Sequence, residues 1–171
     1  MTKARLELLQ RMPIFGGIRD DTLEFLLDQS PIISASKGNF FFHEKDKGAS
    51  MYVLEEGKVA ILKTWKGHDY LLSYLEKGDC FGEMELIDLC PRSASVLAVE
   101  DCRAIEMSST ALYKVYKSDP EQFAMIHMNM GREVSRRLRK SDEQLFQAKV
   151  EANIIAGDFT RLRQDATSRT S

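Results

Sequence analysis

The spacing of hydrophobic and polar residues predicts two short helices at the start of the chain. Residues 3–11 have helical spacing, and Pro13 ends that segment because proline cannot continue a helix. A second helix follows, and Asp20 or Asp21 can cap its first turn through a side-chain oxygen. The apolar positions of the two helices are Leu6, Leu8, Leu9, Leu23, Phe25, Leu26 and Leu27.

From Ile32 the pattern changes to short apolar runs separated by glycines, which is typical of strands joined by tight turns. The runs lie at 32–33, 40–42, 51–54, 59–62, 70–75, 93–99 and 102–107. Short strands at this spacing predict an antiparallel roll or barrel and argue against alternating strands and helices. After the last run, Ser108 or Ser109 can cap a short helix that ends near Tyr116.

A long helix is predicted to follow. Asp119 stands at its N-cap, Pro120 at its first helical position, and Gln122 where the side chain completes a capping box. Only Gly131 interrupts the pattern before Gly157, so the helix can reach about 30 residues, or ~45 Å. From Gly157 the chain is polar and short, and we expect this end to be mobile.

The long helix has two apolar stripes. The first, suited to packing on the roll, is formed by Phe123, Ile126 and Met130. The second follows a heptad spacing through Ala124, His127, Gly131, Val134, Leu138, Ser141, Leu145 and Ala148. This second stripe predicts a homodimer through residues 120–150. The alternative is one amphipathic helix lying along its own domain, with Gly131 costing about 1 kcal/mol for no purpose.

Composition and charge limit the remaining classes of protein. The chain has 171 residues, 43% hydrophobic and 29% charged, which predicts one globular domain at residues 1–150 and a polar tail at 151–171. A net charge of −2 gives no overall attraction to nucleic acid or to an anionic membrane. The sequence begins with no apolar signal core and has no apolar run of about eighteen residues, so we expect a cytoplasmic protein with reduced cysteines.

The most informative segment is 78–96. Gly82 stands between a strand and a predicted short helix at 83–88, whose first turn offers N–H groups to an anion. Arg92 closes the loop with a planar group that can grip two oxygens of one anion, and Glu83 can accept hydrogen bonds from hydroxyls. These residues predict a pocket for a ribose-linked phosphate. The alternative is an ordinary surface ion pair between Glu83 and Arg92.

This segment resembles the phosphate-binding cassette of cyclic-nucleotide-binding domains, as found in catabolite activator proteins and protein kinase A regulatory subunits. The matching residues are Phe81, Gly82, Glu83, Leu86, Pro91, Arg92, Ser93, Ala94, Ser95 and Val96. Upstream, residues 44–48 and 51–59 are similar to a turn and a hairpin of the same family. The resemblance covers residues 12–145. It implies a mainly β fold with flanking helices: an eight-stranded antiparallel β-roll at 31–107 and closing helices at 108–150.

The resemblance also implies ligand contacts. Arg92 would bind the exocyclic phosphate oxygens, and Glu83 the ribose 2′-OH. The rest of the implied site is Phe81, Gly82, the backbone amides of Met84, Glu85 and Ala94, the Ser93 side chain, and Ser141 and Asp142 at the purine. Ser141 alternatively sets helix register. Ser93 implies cyclic AMP, with cyclic GMP as the second choice.

Two residues depart from the family pattern. Glu85 replaces a small residue beside the phosphate, so its carboxylate either repels the anion or points to solvent. Asp142 replaces a hydroxyl residue and alters the expected reading of the base.

No enzyme activity, cofactor or metal is expected. The three histidines lack ligand spacing, and the sequence contains neither a nucleophile elbow nor a phosphate-binding P-loop; the histidines are His43, His68 and His127. About twenty residues follow the predicted long helix, too few for a helix-turn-helix with its own core, so no nucleic acid binding is expected. The basic residues of that helix predict a solvated face; they are Arg132, Arg136, Arg137, Arg139 and Lys140.

The sequence therefore predicts a stand-alone receptor for cyclic AMP that acts on a separate effector protein through its long helix. Two alternatives remain open. One is a nucleotide-free roll that serves as an interaction scaffold, favoured if Glu85 spoils the pocket. The other is a DNA-binding regulator that uses the basic residues of the long helix.

Overall fold

A computed structural model describes residues 2–151 of the chain. The helices are α1 (Thr2–Gln10), α2 (Asp20–Asp28), α3 (Met84–Asp88), α4 (Ser109–Ser118) and α5 (Pro120–Glu151), with a short 3-10 turn at Pro13–Phe15. The strands are β1 (Ile32–Ala35), β2 (Phe40–Phe42), β3 (Ser50–Glu56), β4 (Val59–Trp65), β5 (His68–Leu75), β6 (Cys80–Phe81), β7 (Ser95–Ala98) and β8 (Cys102–Ser108). The predicted eight-stranded roll with short leading helices and a long last helix is confirmed. Only β6, of two residues, was missed by the apolar pattern.

The strands form two four-stranded antiparallel sheets, in the orders β1-β8-β3-β6 and β2-β7-β4-β5. In the first sheet β3 is central, since Val53 pairs with Ile105 on one side and with Cys80 on the other. The segment between β6 and β7 therefore leaves one sheet and enters the other. It carries α3 and the candidate phosphate-binding residues across the edge of the roll.

Two apolar clusters stabilise this arrangement. One lies between the sheets and consists of Ala35, Leu54, Val59, Phe81, Val96, Ala98, Cys102 and Ala104. The larger cluster joins the helices to β3 and β8, and it includes Ile126 and Met130 of α5 at 0% exposure. The predicted first stripe of the long helix is thus confirmed as a packing surface. Burial of such side chains stabilises the fold by roughly 1.5–3 kcal/mol each.

The helix starts differ in part from the predictions. Ser108 caps α4 by accepting the N–H of Ala111, as expected. For α2 the prediction was wrong: Arg19 is the N-cap residue, and its side chain makes no capping bond. Asp20 and Asp21 lie in the first turn instead, where their charge favours the positive end of the helix dipole.

The start of α5 joins two parts of the fold. Asp119 accepts the N–H of Gln122 at 3.1 Å, as predicted for its cap. The capping box itself is wrong, because Gln122 Oε1 accepts the backbone N–H of Arg19 at 2.8 Å rather than turning back to Asp119. Asp119 also pairs with the Arg19 side chain at 2.6 Å. The first turn of α5 is therefore fastened to the start of α2.

The chain divides into two compact units, one to Glu133 and one from Val134, with the boundary inside α5. The predicted length of α5 is confirmed, at 32 residues. The predicted polar tail lies, from residue 152, outside the described residues. None of the helices within residues 2–151 combines the length and the apolar character that crossing a bilayer requires.

Candidate functional site

The guanidinium of Arg92 lies in a narrow space between two glycines. A Cβ atom added to Gly48 would stand 2.5 Å from Nη2, and one added to Gly82 would stand 2.6 Å from Nη1. Any side chain at either position would displace the guanidinium from this place, so glycine at both positions allows the arginine to lie there. The result is an arginine that is only 5% exposed.

Both the side chain and the backbone of Arg92 are held. Nη1 donates to the carbonyl of Gly82 at 2.8 Å, and the guanidinium carbon lies 4.1 Å from the centre of the Phe42 ring. Its backbone N–H donates to the carbonyl of Asp46, and its carbonyl accepts the N–H of Lys45. The turn at residues 44–48 thus holds the backbone of Arg92 through two hydrogen bonds.

The cassette that contains this arginine also carries two carboxylates. Glu83 is 2% exposed, so the alternative of an ordinary surface ion pair with Arg92 is wrong. Glu85 Oε2 lies 3.1 Å from Arg92 Nε, and Glu85 Oε1 accepts the N–H of Gly48 at 2.6 Å. The Glu85 carboxylate therefore turns inward to the arginine, and the expectation that it points to solvent is wrong.

Aromatic residues border the arginine. The ring of Tyr52 stacks on that of Phe81 with centroids 5.3 Å apart, and Phe41 packs edge-on against Phe81 at 5.1 Å. The Tyr52 hydroxyl donates to Glu106 at 3.0 Å. Burial, with the negative charge of Glu106, raises the pKa of Tyr52 to about 12, so this phenol stays neutral at physiological pH. Of these rings, Tyr52 lies nearest the arginine, with its centre 5.9 Å from the guanidinium carbon.

The end of the cassette is partly open. Ser93 and Met84 are exposed, and the Ser93 hydroxyl lies 3.6 Å from the Met84 sulfur. Ala94 is buried at 9% exposure. Lys63 of β4 donates to the carbonyl of Ser93 at 2.6 Å, which fastens this end of the loop to the second sheet. An anion that reached Arg92 would thus meet both buried charge and exposed polar groups.

The structure brings together the predicted residues of the cassette, Phe81, Gly82, Glu83, Met84, Glu85, Arg92, Ser93 and Ala94. Ser141 and Asp142 are exposed residues of α5 in the second unit, and their contact with a purine stays a prediction. Gly48 and Phe42 were not recognised as arginine contacts. Only the family-like turn at 44–48 pointed towards Gly48. Within residues 2–151 no group of three or more His, Cys, Asp or Glu side chains could hold a metal ion.

Comparison with protein families matches the cyclic nucleotide-binding domain to residues 32–119, just over half of the chain. The chain belongs to the cyclic nucleotide-binding domain family. The match extends from β1 to the end of α4 and includes the whole cassette around Arg92. The resemblance inferred from the sequence is therefore confirmed.

Relatives agree with this assignment. The chain is 30% identical over 140 residues to the "CRP-like cAMP-activated global transcriptional regulator" of Mycobacterium tuberculosis, covering 81% of this chain and 61% of the relative. The structure of the Thermus thermophilus catabolite activator protein matches with a TM-score of 0.69 and 28% identity, covering 80% of this chain and 63% of that one. A cyclic nucleotide-binding domain from Methylobacillus flagellatus shares the fold, with a TM-score of 0.76, 22% identity and coverage of 85% and 83%. The chain thus spans less than two thirds of either regulator.

Proposed function

We propose that this chain is a receptor for a cyclic nucleotide, cyclic AMP in the first place and cyclic GMP as the alternative. The observation that carries the proposal is the buried guanidinium of Arg92, enclosed by Gly48 and Gly82. The nearby Glu85 carboxylate makes no hydrogen bond to Arg92 Nε, so it offsets only part of the hydration that this cation lost on burial. A planar guanidinium suits the oxygens of a phosphate. The role is regulatory, carries no catalytic chemistry, and is placed in the cytoplasm.

The remaining predicted residues complete the proposed binding site. Glu83 accepts the ribose 2′-OH, while Ser93 and the amides of Met84, Glu85 and Ala94 contact the phosphate. Phe81 and Gly82 shape the approach to these groups, and Ser141 and Asp142 read the purine. The Mycobacterium tuberculosis relative, which is named as cAMP-activated, supports the choice of nucleotide. The exposed hydroxyl of Ser93 is available to such a ligand.

Calorimetric titration with cyclic AMP, cyclic GMP and cyclic di-GMP tests the proposal. We expect saturable binding of cyclic AMP, weaker by about tenfold or more for its 2′-deoxy analogue because Glu83 then loses its hydroxyl partner. In a Glu83→Gln variant the two ligands should bind within about threefold of each other, since the charged acceptor is gone. Absence of binding by all three nucleotides would favour the scaffold alternative.

We propose that the protein forms a homodimer through residues 120–150 and that this dimer transmits the ligand signal to a separate effector protein. Large apolar side chains are exposed along the second unit of α5: Leu138 at 60%, Leu145 at 54%, Phe146 at 50% and Val150 at 45%. Four such side chains along one exposed helix favour a helical partner over solvent. No nucleic acid takes part in this proposal.

Sedimentation analysis tests the dimer. We expect the unaltered protein to sediment as a dimer and Leu138→Asp to sediment as a monomer, because a charge in the seam loses its hydration. Lys140→Glu, an exposed position off the seam on the same helix, is the matched control and should remain dimeric. A monomeric unaltered protein at high micromolar concentration contradicts the proposed interface.

A further inference from the structure

Glu85 brings a negative charge to the group that the proposed function assigns to a phosphate. Its Oε2 lies 3.1 Å from Arg92 Nε, and the two side chains are 11% and 4% exposed respectively. Its Oε1 accepts the N–H of Gly48 at 2.6 Å. The pair is thus shielded from water, and charges interact more strongly there than at the surface.

The contact between these charges is close but poorly aligned. Arg92 Nε and Glu85 Oε2 are both buried, and within residues 2–151 neither has a hydrogen-bond partner. A well-formed arginine–carboxylate pair makes two parallel hydrogen bonds, whereas this contact lacks the one from Nε–H. The carboxylate therefore offsets the charge of the arginine, but it does not replace the hydrogen bond to water that Nε–H lost on burial. An anion of better shape can replace it.

We propose that Glu85 is an internal competitor of the ligand, whose carboxylate must leave Arg92 before a cyclic phosphate can bind. The inference rests on the proposed function, because that function supplies the competing anion. Arg92 carries one positive charge and can neutralise the carboxylate or the phosphodiester monoanion, but not both. Two anions beside one buried cation repel each other. Glu85 thereby lowers the affinity of the site and sets the nucleotide concentration at which it fills.

The same displacement has a structural result. Glu85 lies on α3, and its other oxygen holds the loop between β2 and β3 through Gly48. When the carboxylate leaves the arginine, the N–H of Gly48 loses its acceptor and becomes available to the incoming phosphate. Ligand binding is therefore coupled to a rearrangement between α3 and this loop.

Calorimetric titration of cyclic AMP into Glu85→Gln tests the inference. The glutamine keeps an oxygen for the N–H of Gly48 but carries no charge, so we expect affinity at least about tenfold above that of the unaltered protein. Glu85→Ala should bind more tightly as well. Glu55→Gln is the matched control, since Glu55 also pairs with arginines, Arg5 at 2.7 Å and Arg103 at 3.3 Å. It should remain within about twofold of the unaltered protein.

Thermal melting separates competition from a merely structural role. Without nucleotide, Glu85→Gln should melt at a lower temperature because Arg92 has lost its counter-charge, yet saturating cyclic AMP should raise its Tm by more than that of the unaltered protein. If Glu85 had only a structural role, Glu85→Gln should lower both the Tm without nucleotide and the rise in Tm that cyclic AMP causes. Equal or weaker binding by both Glu85 variants overturns the inference and leaves the receptor proposal standing. Binding by the variants alone supports the inference, whereas binding by none of the proteins overturns both proposals.

Discussion

Replacing Arg92 with alanine is expected to weaken cyclic AMP binding by at least about 100-fold, a loss of ~2.7 kcal/mol. The phosphate would lose its only proposed charged partner, the guanidinium that lies 4.1 Å from the centre of the Phe42 ring. The substitution also leaves the carboxylate of Glu85 without its counter-charge, so the free energy of unfolding should fall by about 3 kcal/mol. Calorimetry and urea denaturation measure the two effects separately.

Two further variants make the Arg92 result interpretable. Arg92→Lys keeps the charge but loses the planar fork, so it should fold and still bind at least about tenfold more weakly than the unaltered protein. Arg103→Ala removes an arginine that is 36% exposed and pairs with Glu55 and Glu56, and it should cost less than about 1 kcal/mol and leave binding unchanged. Nucleotide affinity within about twofold in a folded Arg92→Ala protein contradicts the assignment of the phosphate site.

Shortening Ile126 to alanine is expected to lower the free energy of unfolding by about 3 kcal/mol, the second large effect. Ile126 is fully buried in the cluster that joins the helices to β3 and β8, and truncation leaves a cavity there. The first turns of α5 should loosen together with the rest of this cluster because they share it. Urea denaturation monitored by circular dichroism gives the change.

Met128→Ala is the matched control, because Met128 is 53% exposed and lies on the same helix two positions away. Its substitution should change stability by no more than about 0.5 kcal/mol. An Ile126→Ala protein as stable as this control would mean that α5 does not depend on the apolar cluster for its attachment.

The architecture could be predicted because local pattern and global fold agree. Short apolar runs separated by glycines marked seven of the eight strands, and Ser108 and Asp119 marked helix starts through their own side chains. The apolar runs did not show β6, because Cys80 and Phe81 are too few to form one; that strand was predicted only from its place before Gly82. The cassette was predicted from its residue types and their spacing.

Contacts between distant parts of the chain could not be predicted in the same way. The bond from Gly48 to Glu85 joins residues 37 positions apart, and nothing near Glu85 shows that its carboxylate turns inward. The capping-box prediction for Gln122 failed for a similar reason. A local partner was available, but the Gln122 side-chain oxygen accepts the N–H of Arg19, 103 positions away. Sequence spacing identifies the groups, whereas the closed roll decides which of them meet.

The bond from Arg19 to Gln122 has a mechanical consequence. The backbone N–H of Arg19 donates to Gln122 and its side chain to Asp119, so two hydrogen bonds tie the first turn of α5 to the start of α2. Ile126 and Met130 hold the following turns of α5 in the same apolar cluster, so any bend of this helix must lie beyond Met130.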